Sequence, residues 1–380
     1  MDFSFNHSEV QLRSSLQGYL ARHYGFTDIM ACRTTCGFDA RIWTGLANEI
    51  GILGLLVPGR CGGLDGSTTE LLVVVEELGY ALVQVPYIDA AVTAVSLLRK
   101  CTSNIDARLS AIAEGREICV TALGRDGGAR PVAGHRDAAW TLSGEVHTVL
   151  NGPAASHILV AVDHDGGLGL MMLDTASLHS RMMRYPTIDG RSACNVDLEG
   201  LLVPESALVS GMVDLTAELP AVIALTRAAL GAEAIGLMRR MLVNTREFCL
   251  GRRQFDQPIA TFQVLQHRLV DMYLQFELAT SAVYRAMVSL DGAADDRDIA
   301  VSAMAVTVTE ALAFVSQNAI QLHGGMGMTD EMPISHYFRR ATAIGLEMGS
   351  LEQNLSEFAS LRRRTRSAGA PVQSVRGETQ

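Results

Sequence analysis

Three glycines crowd the stretch QLHGGMGM, residues 321–328, directly after the apolar run TEALAFVSQNAI. A glycine turn lets backbone come close to a phosphate, and it also ends a helix. The stretch lacks the GxGxxG spacing and follows a helical run rather than a strand, so a Rossmann-type loop is disfavoured. Cysteines stand at 32, 36, 61, 101, 119, 194 and 249. Cys32 and Cys36 could share one helical turn, but no second Cys/His pair follows at metal spacing, so no metal is expected. The odd, scattered set reads as reduced thiols of a cytoplasmic protein.

The elements that must carry these residues change period along the chain. Residues 1–117 read as an N-terminal helical domain: SEVQLRSSLQGYLARHYG, with Ser8 as its expected N-cap, then FDARIWTGLANEIGILGLLVP and TTELLVVVEELGYALV, each ending at Gly or Pro. The glycine-rich PGRCGGLDGS connects the last two. Residues 118–212 shift to short β-rich runs, such as ICVTALG and HILVAVDHDGGLGLMMLD, punctuated by Gly, Asn and Asp. They predict a small antiparallel barrel or sandwich. Residues 213–365 return to helical period: three long helices and a shorter fourth around 338–361, a C-terminal four-helix bundle. Residues 366–380 read as a disordered tail. The whole is α+β by segregation, not alternating α/β.

The 380 residues, 48% apolar and 19% charged, suit a globular chain. A net charge of −10 without a basic stripe argues against nucleic acid. No uninterrupted apolar run of transmembrane length is present, and MDFSFNHSEVQLRSSL does not read as a secretory leader, so no membrane partner is expected.

At GRRQFDQPIATFQVLQHRLVDM, residues 251–272, the chain resembles the R-x-Q-F-G-x-P-I-x-x-F-Q-x-x-Q segment of the acyl-CoA dehydrogenase family. QLHGGMGMTDEMPISHYFRRA resembles that family's Q-x-x-G-G-x-G signature. LLVPGRCGGLDGSTTELLVVVEELG is similar to its P-x-x-x-G-G…E-E-L-G segment. The likeness is collinear over nearly the whole chain. It implies FAD lying across a subunit interface. It also implies a carboxylate that removes an acyl-CoA α-proton while hydride leaves the β-carbon for the flavin. Electron-transfer flavoprotein is the implied electron acceptor. The residues that would reach a neighbouring subunit's flavin are all present: Arg252, Phe255, Gln263, Gln321, Gly324 and Gly325. Arg252 would offer a planar fork to the pyrophosphate, and the two glycines close backbone approach.

Three departures stand beside this match. Asp256 replaces the family's usual Gly. The family's T-E-P-x-A-G-S-D loop is matched at residues 119–134 by CVTALGRDGGARPVAG, in which only Thr121 survives. Neither family position for the base is acidic: Met348 stands at one, next to Glu347, and Thr226 at the other, before Arg227. Glu347 is one residue, roughly 100° of helix, off position. Glu233, seven residues beyond Thr226, is a second candidate on nearly the same face. The lent half of a flavin site is kept and the chain's own half is eroded. The resemblance therefore implies one subunit of a two-chain α2β2 acyl-CoA dehydrogenase of the bacterial steroid side-chain type, paired with a homologous subunit that supplies the base. Two alternatives stand open: a homotetramer with Glu347 or Glu233 as base, and a non-enzymatic family member with a structural or binding role.

Overall fold

The computed structural model describes residues 5–34, 37–101, 105–124, 129–136 and 138–369. The chain opens with helices α1 (His7–His23), α2 (Phe26–Thr34), α3 (Ala40–Gly45), α4 (Thr68–Tyr80), α5 (Val95–Leu98) and α6 (Asp106–Ala113). Helix α1 begins where its free backbone donors are answered. The Asn6 side chain accepts from the Glu9 N–H, and the Glu9 carboxylate accepts from the Asn6 N–H. The cap is thus Asn6; Ser8, the expected cap, lies inside the first turn and donates to Asn6 Oδ1. Ser67 and Glu70 repeat the reciprocal cap on α4. Ahead of α5, Tyr87–Ala94 winds as a wider π-helix, in which Thr93 Oγ1 donates to Ile88 O.

Strands β1 (Cys119–Ala122), β2 (Val132–Arg136), β3 (Ala139–Ser143), β4 (Glu145–Leu150), β5 (His157–His164), β6 (Gly167–Asp174), β7 (Met182–Pro186), β8 (Ser192–Asp197) and β9 (Leu201–Pro204) follow. One sheet runs β1-β5-β2-β3-β9 with β6 also on β5; the other runs β4-β8-β7. The sheets are mainly antiparallel, but β1 and β2 both pair with β5 in parallel. In β5, residues 158–162 are all buried, which removes the alternation a half-exposed strand would show.

The helical part comprises α7 (Leu219–Gly251), a short hairpin of β10 (Arg253–Gln254) and β11 (Gln257–Pro258), α8 (Gln263–Ser289), α9 (Ala294–His323), α10 (Pro333–Glu347) and α11 (Leu351–Gly369). The expected single helix over 338–361 is two helices. They break at Met348–Ser350, where Gly349 adopts φ +89°, a backbone state that favours glycine. The bundle is accordingly three long helices plus two shorter ones. Helix α11 runs to Gly369, past the expected bundle end at 365, and residues 370–380 of the expected tail lie outside the described residues. The segments Leu219–Gly251 and Ala294–Met328 are long and apolar enough to cross a membrane. Their apolar windows are 78% and 56% buried inside the protein, so packing against each other and against α4 and α8 accounts for that character.

The crossing of α4 and α7 is close. A Cβ on Gly236 would lie 2.0 Å from Glu76 O, and one on Gly79 would lie 2.3 Å from Glu233 O. Glycine at both positions lets the helix backbones touch. That contact sets α4 and the π-helical turn against the face of α7 that carries Thr226 and Glu233.

Candidate functional site

Of the two positions at which the resemblance would seat a base, Thr226 lines one small cavity between α7, α10 and the π-helical turn, and Met348 directly follows another residue of its wall, Glu347. Thr226 and Glu347 line it, with Tyr87, Asp89 and Leu150. Met348 beside Glu347 is buried and apolar. Thr226 Oγ1 lies within hydrogen-bond reach of Val222 O at 2.9 Å and of Thr93 Oγ1 at 2.8 Å, and this neutral, engaged hydroxyl is no base. The cavity measures about 30 Å³. That is room for a water or two, against the roughly 300–1,000 Å³ of ordinary ligand pockets.

What fills the space is an ionic cluster. Arg340 on α10 is 2% exposed. It grips Glu233 of α7 with two parallel bonds, Nε to Oε1 at 2.7 Å and Nη2 to Oε2 at 2.8 Å. Its Nη1 donates to Asp189 at 3.1 Å and to Glu347 at 2.5 Å. Arg191 adds a 3.1 Å bond to Glu233. Asp189 and Arg191 sit on the turn joining β7 to β8, so the cluster ties the β domain to the bundle. Burial pushes the Glu233 and Asp189 carboxyls up, but Arg340 and then Arg191 outweigh it and hold both below the ordinary carboxylate range. At Glu347 burial wins, and its carboxyl stands above the ordinary value despite the same two arginines. Arg340, Asp189 and Arg191 are members that the sequence reading did not single out. One signal was available: Arg340 stands where the family's Y-R-D-A motif has Asp, and lies seven residues, two turns, before Glu347 on one helix face.

Glu233 is thus fully committed to an interhelical ion pair, and Glu347 faces the cavity through its bond to Arg340. Arg227 is structural: its guanidinium bonds Glu357 at 2.8 Å and Asn354 at 2.7 Å, joining α7 to α11. Of the eroded β-domain loop, residues 125–128 lie outside the described residues; Thr121 sits in β1.

The six residues matched to a neighbour's flavin gather at another place, the end of the bundle where α7 stops, α8 starts and α9 stops. Phe248 of α7 stacks on His323 of α9 at 4.3 Å, and Arg268 of α8 bonds Asn318 of α9 at 2.8 Å. Arg252, Phe255, Gln263, Gln321, Gly324 and Gly325 are all exposed there. Along α7, Glu233 and Arg252 are separated by about 28 Å, taking ~1.5 Å per residue. The cavity and this end are therefore separate places in the fold.

The local backbone is built for presentation. Phe255 and Asp256 form the two-residue turn of the β10–β11 hairpin, with φ of +51° and +61°. Both signs suit the primed turn of a tight hairpin. Asp tolerates this state, which explains how Asp256 replaces a glycine. Phe does not adopt it readily, so a bulky ring 87% exposed is held outward at a cost in strain. Gly324 has φ +62° and ψ −146°, a region essentially closed to other residues. A Cβ at Gly324 or at Gly325 would find no atom within 4 Å. The loop therefore offers bare backbone to whatever approaches from outside. Arg252 has no side-chain partner among the described residues. A free guanidinium, an exposed ring and an open glycine backbone fit an extended, phosphate-bearing cofactor such as FAD. Around them α8 exposes an apolar stripe, including Val264, Val270, Leu274 and Leu278, each more than half accessible.

Residues 6–111 match the model described as acyl-CoA dehydrogenase, N-terminal domain, and residues 220–360 match acyl-CoA dehydrogenase, C-terminal domain. This chain belongs to the acyl-CoA dehydrogenase family. Members of the family bind FAD and oxidise acyl-CoA. Among its relatives, acyl-CoA dehydrogenase IpdE2 of Mycobacterium tuberculosis is 26% identical over 87% of this chain and 89% of its own length. FadE27 of the same organism is 29% identical over 85% and 89%. A variant of the Tcur3481–Tcur3483 steroid ACAD superposes with a TM-score of 0.85 at 26% identity, covering 95% of this chain and 99% of that one. The ChsE4–ChsE5 complex of M. tuberculosis, at 24% identity, shares the fold with a TM-score of 0.86 over 98% of this chain and 100% of that one. A glutaryl-CoA dehydrogenase of Mycobacterium smegmatis solved with FADH2 also shares the fold, TM-score 0.84 at 16% identity over 97% of both chains.

Proposed function

We propose that this acyl-CoA dehydrogenase chain is the non-catalytic member of a two-chain enzyme, completing the flavin site of a homologous subunit that brings the base. The observation that carries this reading is how little room the cavity leaves. The place for the chain's own chemistry holds about 30 Å³ and is walled by a threonine and by two glutamates bonded to a buried arginine. No acyl thioester enters it while Arg340 holds Glu233 and Glu347.

In the assembled enzyme the bound flavin accepts the hydride that leaves the acyl β-carbon. This chain's residues bind and orient. Arg252 would hold the pyrophosphate, for which its planar fork of donors is suited. The Gly324–Gly325 backbone would leave room for the same dinucleotide, Gln263 and Gln321 would offer it amide donors, and the exposed Phe255 ring would shield it from water. The stripe on α8 packs against the partner. The proton is taken by the partner's carboxylate. The two-chain steroid enzymes among the structural relatives support a heteromer and a steroid side chain as the acyl group. By the same likeness, electron-transfer flavoprotein is the onward acceptor, and the complex works in the cytoplasm.

One observation favours a second reading, a homotetramer with its own base: Glu347 lines the cavity with its carboxyl held above the ordinary range. Flavin absorbance of the chain purified alone and with a base-bearing homologue separates the two. The two-chain reading expects little flavin alone and about one flavin per two chains in the pair. It also expects occupancy to fall on Arg252→Ala, and Glu347→Gln to leave the pair's activity intact. A full flavin per chain with activity in isolation, abolished by Glu347→Gln, would establish the homotetramer instead.

A further inference from the structure

A second cavity lies on the opposite side of α4 from the ionic cluster, where α1, α4, α7 and α10 meet. Its volume is about 630 Å³, some twenty times that of the first and within the range of ordinary small-molecule sites. Nothing in the proposed dehydrogenase role uses it. Four aromatic rings from separate elements wall it: Tyr24, Phe26, Tyr80 and Tyr337. Three of them are held in place. The Tyr24 hydroxyl donates to Leu82 O and accepts from the Gln84 N–H. The Tyr337 hydroxyl donates to Tyr80 O. The Tyr80 ring is met by two guanidiniums, Arg239 at 4.5 Å and Arg240 at 5.1 Å from its centroid.

The charges facing the cavity do not cancel. Glu77 is satisfied by Arg239, Arg13 and Gln17, and Arg239 divides itself between Glu77 and Glu76. That leaves Arg240. Its Nη1 donates to the Tyr80 hydroxyl at 3.1 Å, the Tyr337 hydroxyl takes a second hydrogen bond from the guanidinium, and Glu247 acts on it by charge without forming an ion pair. A half-buried guanidinium, already oriented by ring stacking and with free N–H groups, is a ready partner for a carboxylate.

We propose that this cavity is a binding site for a small carboxylate with a flat, fused-ring apolar body, whose ring lies among the four aromatic side chains and whose carboxylate takes the Arg240 fork. The site is separate from the flavin-binding end and from the small cavity, so it stands whether the chain works in a heteromer or alone.

The test uses 1-pyrenebutyrate and its uncharged analogue 1-pyrenebutanol, titrated by fluorescence anisotropy against the full chain and against the chain with its partner. The acid should bind with one site per chain and at least tenfold tighter than the alcohol. Arg240→Gln should erase that difference by weakening the acid alone. Ala21→Phe, at an exposed residue on the cavity wall, should weaken both ligands at least tenfold by filling space. Far-ultraviolet circular dichroism and thermal unfolding verify that both variants fold. Equal affinity for acid and alcohol in the native chain would overturn the proposal. So would binding that neither folded variant alters, because the rings would then be sitting on the exposed stripe of α8.

Discussion

Removing Arg340 tests the buried cluster most directly. In Arg340→Met a side chain of similar length loses four charge-assisted contacts: two to Glu233, one to Asp189 and one to Glu347. Each such bond contributes roughly 1.5–3 kcal/mol before desolvation is counted. Desolvating the guanidinium offsets part of the sum. The net expectation follows from what remains: three carboxylates facing Arg191 alone. Breaking a buried pair from one side costs about 3–5 kcal/mol. The sign of the pH dependence then reverses. In the native chain Glu233 and Asp189 have depressed values, so their contribution is present above the unfolded carboxylate range and is lost as pH falls through the lower, folded values. In the variant, burial and mutual repulsion raise the folded values. The folded state then binds protons first, and stability rises as pH is lowered from 7 toward about 5. Urea unfolding at both pH values measures this, with Glu233→Gln/Arg340→Met as the double variant that recovers part of the loss. A loss below about 1 kcal/mol at pH 7, or one that does not shrink at lower pH, would refute the cluster as described.

Other outcomes follow from the same coordinates. Gly324→Ala meets no atom within 4 Å, so its cost is backbone strain alone, about 1–3 kcal/mol by denaturant unfolding, together with poorer flavin retention in the pair. Thr226→Val removes the 2.8 Å bond to Thr93, whose hydroxyl still donates to Ile88 O, and should cost about 0.5–1.5 kcal/mol, while Thr93→Val with Thr226→Val should be milder than the sum of the singles. Arg252→Ala should leave the unfolding of the isolated chain within about 0.5 kcal/mol, since its side chain has no partner among the described residues, yet lower flavin occupancy in the complex.

The change from helical to β period and back was readable because each helix and strand keeps one wet face. It failed where that condition failed. Strand β5, buried through residues 158–162, hides its alternation yet still read as β from its short apolar, β-branched run, whereas α10 and α11 read as one helix because Gly349 only shows its left-handed backbone in three dimensions. Ser8 looked like a cap, but Asn6 reaches the Glu9 N–H first. The six residues of the presented end were legible by motif, since they sit within two short segments that the fold folds back together. The small cavity was not. Asp189 and Arg191 come from a β turn 151 and 42 residues from the partners they bind, and no local spacing announces such a contact. Only Arg340 and Glu347, two turns apart, left a trace that could be read locally.

The apolar stripe of α8 also bears on the life of the chain before assembly. If the two-chain reading holds, then until a second subunit covers Val264, Val270, Leu274 and Leu278 a newly made copy displays them to chaperones, proteases and other unfolded chains. Surplus copies are then removed rather than stored. The cellular amount of this protein should follow the supply of its partner, and deleting the partner's gene should deplete this chain without touching its transcript.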